Sequence, residues 1–197
     1  MKKSVKTVII VLLIASLAAG AYLGFRKDKK TPEKKPAEKT EQFMPVQEPE
    51  KKEPYEGTLY IGYGDGYREI PFKSENGLST ESILENISRE TGWNLDTEKT
   101  EVSDEGNVKI LWSGKSSLFT GIPKEQKTEF FVAKQEDLDA MILDSVKKTV
   151  LENEKIKKIY YADSEGKDLK LPDTYVEIPA DKPYSTFTDY MDYAPIY

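Results

Sequence analysis

Cysteine and histidine are both missing from the 197-residue chain. Without histidine no Ser-His-Asp triad can form, and without cysteine there is no thiol nucleophile, disulfide or thiol-linked lipid. Zinc sites built from these two residue types are excluded for the same reason. These chemistries are excluded, and no other catalytic apparatus is recognisable in the sequence. We therefore expect a non-enzymatic protein without catalytic residues, cofactor or metal site, whose folded part is held by its core alone.

Positive charge is scarce in the larger part of the chain. From residue 55 onward there are 17 Lys and Arg against 28 Asp and Glu. An acidic domain is repelled by phosphate backbones, so nucleic acid is excluded as a partner.

The one long apolar run lies at the N-terminus. Residues 7–25 contain no charged side chain, and a helix of that length spans about 28 Å, close to the thickness of the hydrocarbon core. Residues 1–25 therefore predict a single-pass membrane anchor, with the following domain outside the cytoplasm. A cleaved signal peptide is the alternative, because Ala19, Gly20 and Ala21 fit a cleavage site.

Lys, Glu and Pro dominate the next segment, residues 26–55. Its sizeable apolar side chains before Tyr55 are clustered at Phe43, Met44 and Val46. Such a composition buries too little surface to offset chain entropy, so the segment predicts a disordered spacer that holds the domain near the membrane.

Residues 56–179 predict one α+β domain in the order β-β-α-β-β-α-β-β. Two helices, each with a single apolar stripe, are expected to pack on one face of a mainly antiparallel sheet. Ser79 is the predicted N-cap of the first helix and Gly92 its end. The predicted strands cover residues 57–63, 67–72, 100–103, 107–112, 157–162 and 168–171, and the predicted helices cover 80–90 and 135–152.

The same pattern resembles the GerMN domain of sporulation, germination and other exported bacterial proteins. The resemblance covers residues 56–171 and is best in the apolar helix around residues 138–150 and the strand and Gly-Lys turn that follow it. It implies a fold like ring-building modules that associate side by side, with no catalytic residues. Two departures are the Thr91-Gly92-Trp93 sequence, where the family has Gly-Pro, and the long connection 113–134.

The leading functional hypothesis is a protein-interaction or assembly module of the cell envelope that binds another envelope protein or its own copies. Aromatic side chains contribute much interface energy, and they recur in the C-terminal tail, residues 180–197. The candidate partner surface consists of Tyr184, Phe187, Tyr190, Tyr193 and Trp93. Alternatively, the tail folds back over its own sheet.

Two other functions stay open at this point. A peptidoglycan-binding module would stack sugar rings on Trp93, Trp112 and exposed tyrosines, although alternation with Val108 and Ile110 favours the core for Trp112. A cell-wall hydrolase would need two carboxylates facing each other across a concave pocket, roughly 5–9.5 Å apart.

Overall fold

The computed structural model describes residues 43–45, 53–64 and 66–191. The elements are β1 Phe43–Pro45, β2 Tyr55–Tyr63, β3 Gly66–Ser74, α1 Thr80–Thr91, β4 Thr97–Ser103, β5 Val108–Trp112, α2 Ser117–Thr120, a 3-10 turn Thr128–Phe130, α3 Gln135–Asn153, β6 Ile159–Ala162, β7 Leu169–Lys170, β8 Glu177–Ile178 and α4 Thr188–Met191. The predicted α+β class, with mainly antiparallel pairing, is confirmed.

The strands are divided among three sheets. A four-stranded sheet has the order β1-β4-β5-β6, while β2–β3 and β7–β8 form separate antiparallel pairs. Only β5 and β6 run parallel within the described sheets, with Ile110 opposite Tyr161. A parallel pair needs a long crossover, and the connection that carries helix α3 supplies it.

One short strand lies inside the predicted spacer. Phe43–Pro45 form β1, which pairs antiparallel with β4 so that Met44 lies opposite Val102. This part of the spacer is therefore not disordered, and Tyr55 already belongs to β2. The rest of the spacer before residue 53 lies outside the described residues.

The ends of helix α1 follow the sequence signals. The Ser79 hydroxyl accepts a hydrogen bond from the Ser82 amide at 3.2 Å, and the Ser82 hydroxyl accepts one from the Ser79 amide in return. Gly92 ends the helix with φ 80°, a left-handed conformation that favours glycine. Both predicted boundary residues are confirmed.

Helix α3 and the sheets enclose the main core. The helix buries an apolar stripe that includes Leu138, Ile142 and Val146, while the sheet contributes Trp112 and Tyr161, whose ring centroids lie 5.8 Å apart. The prediction that Trp112 belongs to the core is confirmed, since none of its surface is exposed.

Candidate functional site

The predicted partner surface is largely interior. Tyr184 is 3% exposed, while Phe187 and Trp93 are each 1% exposed. Tyr190 is partly buried against the core, and Tyr193 lies outside the described residues. The prediction that Tyr184, Phe187 and Trp93 face a partner is therefore wrong, because buried side chains cannot present a docking surface.

The described part of the tail instead packs on its own domain, as the alternative interpretation held. The amide of Tyr184 donates to the Ile159 carbonyl of β6 at 2.8 Å. The Tyr184 hydroxyl and the Phe187 amide both donate to Oδ1 of Asp144 on helix α3, at 2.7 and 3.2 Å. Burial raises the pKa of the Asp144 carboxyl, and these two hydrogen bonds partly offset that effect. The tail is thus part of the fold.

Both tryptophans are unavailable for sugar stacking. Trp93 packs edge-on against Phe130, with ring centroids 6.4 Å apart, and Trp112 lies inside the core. A glycan would have to stack on exposed tyrosines instead. Tyr63 and Tyr67 at the β2–β3 turn and Tyr175 between β7 and β8 are such residues.

A first groove, of about 380 Å³, is lined in part by Glu136, Asp173 and Thr174. The fully buried Asp139 lies behind it: its carboxylate accepts hydrogen bonds from Gln135 Nε2 at 2.6 Å and from Thr174 Oγ1 at 3.2 Å. Burial raises the pKa of Asp139 to about 7. Such a pKa suits a general acid, but both oxygens are already bonded inside the protein, so this carboxyl does not reach a ligand in the groove.

A second groove, of about 330 Å³, lies between the β2–β3 turn, helix α3 and the tail. Tyr63 and Tyr67 form its turn side, Met141 and Asp144 its helix side, and Thr188 its tail side. Gly62 allows the helix to approach, because a Cβ there would lie 3.3 Å from Met141 Cγ. Asp65, which lies between the predicted strands 57–63 and 67–72, is outside the described residues.

The two edges of the β2–β3 hairpin differ. On the β2 edge, three side chains of α3 spaced one turn apart bind the strand backbone. The Thr58 amide donates to Asn153 Oδ1 at 3.1 Å, and the amides of Tyr60 and Gly62 donate to the hydroxyls of Thr149 and Ser145 at 2.9 Å. Asn153 Nδ2 also donates to the Thr58 carbonyl at 2.7 Å. The β2 edge is therefore covered.

The β3 edge is open. Tyr60 lies opposite Glu69 and Gly62 opposite Tyr67. The Tyr60 and Gly62 amides point away from β3, so these two residues form non-hydrogen-bonded pairs with Glu69 and Tyr67. In such pairs the backbone groups of both partners point outward, so those of Glu69 and Tyr67 point away from β2. Within the described residues, no strand pairs with this side of β3. We call the outward-facing backbone of residues 66–70 the open edge.

Residues beyond the open edge limit its length. Pro71 is the next residue whose backbone points outward, and proline has no N–H to donate. Proline and lysine are typical residues of protected strand edges, and Pro71 and Lys73 are both exposed. Tyr67 and Glu69 are therefore the two successive outward N–H donors at the turn end of β3, and Pro71 separates them from the next one, at Lys73.

An aromatic and charged cluster lies at the same end of the hairpin. The guanidinium of Arg68 lies 5.8 Å from the ring centroids of both Tyr63 and Phe130, and it pairs with Glu129 at 3.5 Å. Tyr63 is 59% exposed and Phe131, next to Phe130, is 68% exposed. Large exposed aromatic residues next to an arginine are the composition of interface hot spots.

The covered edge has a signal in the sequence, within the apolar stripe that is predicted for α3. Ser145 and Thr149 occupy positions of the apolar stripe of α3, where small polar residues can either fill space or donate and accept hydrogen bonds. The spacing of Ser145, Thr149 and Asn153, four residues apart, places them on one helix face. It does not say which strand they bind.

Within the described ranges, no helix combines the length and the apolarity needed to cross a bilayer, and no group of three or more acidic side chains could hold a metal ion. The predicted anchor, residues 7–25, lies outside those ranges. Comparison with protein-family models, curated proteins and solved structures found no match. The resemblance to GerMN domains therefore stays a prediction.

Proposed function

We propose that this chain is a non-enzymatic, membrane-anchored interaction module of the cell envelope, and that it binds a partner chain by adding a strand to the open edge of β3. The predicted anchor holds the domain on the extracytoplasmic side. By its resemblance to GerMN domains, we extend the proposal to an assembly role in sporulation or germination.

The observation that carries the proposal is the contrast between the two hairpin edges. Helix α3 accepts hydrogen bonds from the outward amides of Thr58, Tyr60 and Gly62 on β2. The outward amides of Tyr67 and Glu69, in contrast, have no strand beside them in the described structure. Unpaired strand edges are templates for pairing with another chain, and in strand addition the main-chain hydrogen bonds supply much of the affinity.

The surrounding side chains support binding at the same place. Tyr63, Arg68 and Phe131 provide exposed aromatic surface and a fixed positive charge next to the open edge. Neighbouring pockets for alternate side chains give strand addition its specificity. The second groove, which Tyr67 borders, is such a neighbour.

A pair of substitutions at one position tests the proposal. Glu69→Pro removes an outward N–H without removing a hydrogen bond between β2 and β3, whereas Glu69→Thr changes the same side chain and keeps the N–H. The full-length chain is expressed in its host, crosslinked, and its captured partners are identified. We expect capture to fall at least tenfold in the proline variant and to persist in the threonine variant.

Equal capture by the wild-type chain and both variants would contradict strand addition. Side-chain recognition predicts a different result, in which both variants lose capture alike. Thermal unfolding of each purified variant checks that the hairpin is still formed. The membrane orientation has its own test: protease added to intact, wall-stripped cells is expected to cut the domain, and full protection would place it in the cytosol.

A second candidate is peptidoglycan binding, favoured by the exposed rings of Tyr63 and Tyr67 beside the second groove. Tyrosine rings stack on apolar faces of ligands with little loss of side-chain entropy. Sedimentation of the chain with purified cell wall distinguishes this candidate. Binding that is lost in Tyr67→Ala and kept in Glu69→Pro would favour the glycan over a protein strand.

A further inference from the structure

The positions of the free backbone groups on β3 make the open edge complementary to itself. Tyr67 and Glu69 are two residues apart, and Arg68 lies between them with its own backbone groups directed toward β2. A two-fold axis next to Arg68 would place Tyr67 of one copy opposite Glu69 of the other. Each such pair exchanges both of its N–H···O bonds.

We infer that the partner at the open edge is a second copy of this chain, related by a two-fold axis at Arg68, so that two hairpins join in one antiparallel sheet. This inference rests on the proposed function. Two-fold dimers are the commonest closed assemblies, and the same patch on both copies must then match itself.

Pro71 disfavours the neighbouring registers. With the axis moved one residue to Glu69, Tyr67 would face Pro71 of the other copy, and one hydrogen bond of each such pair would be lost. With the axis at Ile70, Glu69 would face Pro71 and the same loss would follow. With the axis at Arg68, Tyr67 pairs only with Glu69, so every outward N–H and C=O of these two residues is bonded and Pro71 lies outside both pairs.

Like charges opposed across strands are unfavourable, and this register brings two Arg68 residues together. The side chain of Arg68 is drawn away from the axis, because its guanidinium lies over Tyr63 and Phe130 and pairs with Glu129 of its own copy. The cost of the opposed charges is thereby reduced. On the other face of the sheet, the Tyr67 side chain would lie beside the Glu69 carboxylate of the second copy.

The absence of cysteine from the chain allows a direct test by disulfide formation. In the inferred register the two Arg68 residues form a non-hydrogen-bonded pair, with Cα atoms roughly 4.5 Å apart, within the range that a disulfide spans. The single-cysteine variant Arg68→Cys, full length and reconstituted at low density in lipid vesicles, is oxidised mildly and its dimer fraction is followed with time.

The matched control is Tyr175→Cys, since Tyr175 is 77% exposed in the loop between β7 and β8. We expect Arg68→Cys to form dimer at least fivefold faster than this control, and Glu69→Pro added to Arg68→Cys to remove the difference. A mixture of Tyr67→Cys and Glu69→Cys chains should crosslink faster than either chain alone. This second measurement does not depend on the loss of the Arg68 ion pair.

The inferred self-pairing would be overturned if Arg68→Cys and Tyr175→Cys formed dimer at equal rates and the mixture of Tyr67→Cys and Glu69→Cys chains crosslinked no faster than either chain alone. If Glu69→Pro still abolished capture of a different envelope protein, strand addition would stand with that protein as its partner. If Glu69→Pro also left capture unchanged, the self-pairing and the proposed function would both fail.

Discussion

The amide nitrogen of Tyr60 lies 2.9 Å from the hydroxyl oxygen of Thr149, so a helix side chain takes the place of a neighbouring strand on β2. Thr149 is fully buried. A buried N–H without an acceptor costs about 1–3 kcal/mol, so this contact has a measurable consequence for stability.

Thr149→Val keeps the shape of the side chain and removes the acceptor. We expect it to lower the free energy of unfolding by about 1–3 kcal/mol, because the Tyr60 amide loses its partner away from water. Urea unfolding measures the change. The control Thr149→Ser keeps the hydroxyl, and if it destabilises the protein more than the valine variant does, packing rather than the hydrogen bond is the cause.

Asp139 should make stability depend on pH. Its pKa is about 7 in the folded protein and about 3.8 in a solvated chain, so the folded state holds a proton that the unfolded state releases between these values. The contribution of Asp139 to stability should therefore be most favourable below pH 4, fall as the pH rises to about 7, and then level off. Asp139→Asn should remove this contribution to the pH dependence and be more stable than the unchanged protein by about 2–4 kcal/mol at pH 8.

Chemical unfolding of Asp139→Asn and the unchanged protein between pH 4 and pH 8 gives the comparison. The asparagine amide oxygen can still accept from Gln135, and the Thr174 hydroxyl can turn to accept from the amide nitrogen. A constant stability difference across the whole pH range would show that Asp139 does not titrate in this window.

The tail contributes to the core through Phe187. We expect Phe187→Ala to lower the free energy of unfolding by about 3–5 kcal/mol, since it removes a large and almost fully buried ring. Met191→Ala, at an exposed position of the same tail, should change it by less than about 1 kcal/mol. Differential scanning calorimetry of both variants measures the difference. Similar small effects at both positions would contradict the packing of the tail on the domain.

Gly92 is required by its backbone conformation and by close packing. Its φ is 80°, and a Cβ there would lie 2.3 Å from the Glu125 carbonyl oxygen. Gly92→Ala should therefore destabilise the protein by about 2–4 kcal/mol. Gly114→Ala is the control, because a Cβ at Gly114 meets nothing within 4 Å. Thermal unfolding should show a large loss of stability for the first variant and none for the second.

The elements of the domain were predictable because their signals are local. The stripe of α3, the cap at Ser79 and the left-handed Gly92 each depend on a few neighbouring residues, and all three are confirmed. The division of the strands among three sheets was not predictable, because pairing joins distant residues. The strand Phe43–Pro45 was not predictable, because three residues in a Lys-, Glu- and Pro-rich segment are too few to show the hydrophobic alternation of a strand.

The site was harder to predict, because an aromatic residue has the same sequence signal in a core and at an interface. Tyr184 and Phe187, predicted to form a partner surface, lie in the core, whereas Tyr63, at the end of a predicted strand, is exposed. Burial depends on which segments meet, and the Asp144 carboxylate that holds the tail is more than 35 residues away in sequence. The open edge of β3 can be recognised only after helix α3 is known to lie along the other side of β2, because either edge of the hairpin could otherwise be the free one.

The contacts of Ser145, Thr149 and Asn153 with β2 also set a limit on growth. An exposed strand edge that pairs with its own kind can, in principle, continue indefinitely into a fibril. Here the inferred sheet of two hairpins would end in β2 on both sides, and helix α3 already occupies the backbone of that strand. Association through this hairpin would therefore stop at two copies. The protein could keep a strand edge that pairs with another chain without forming a polymer.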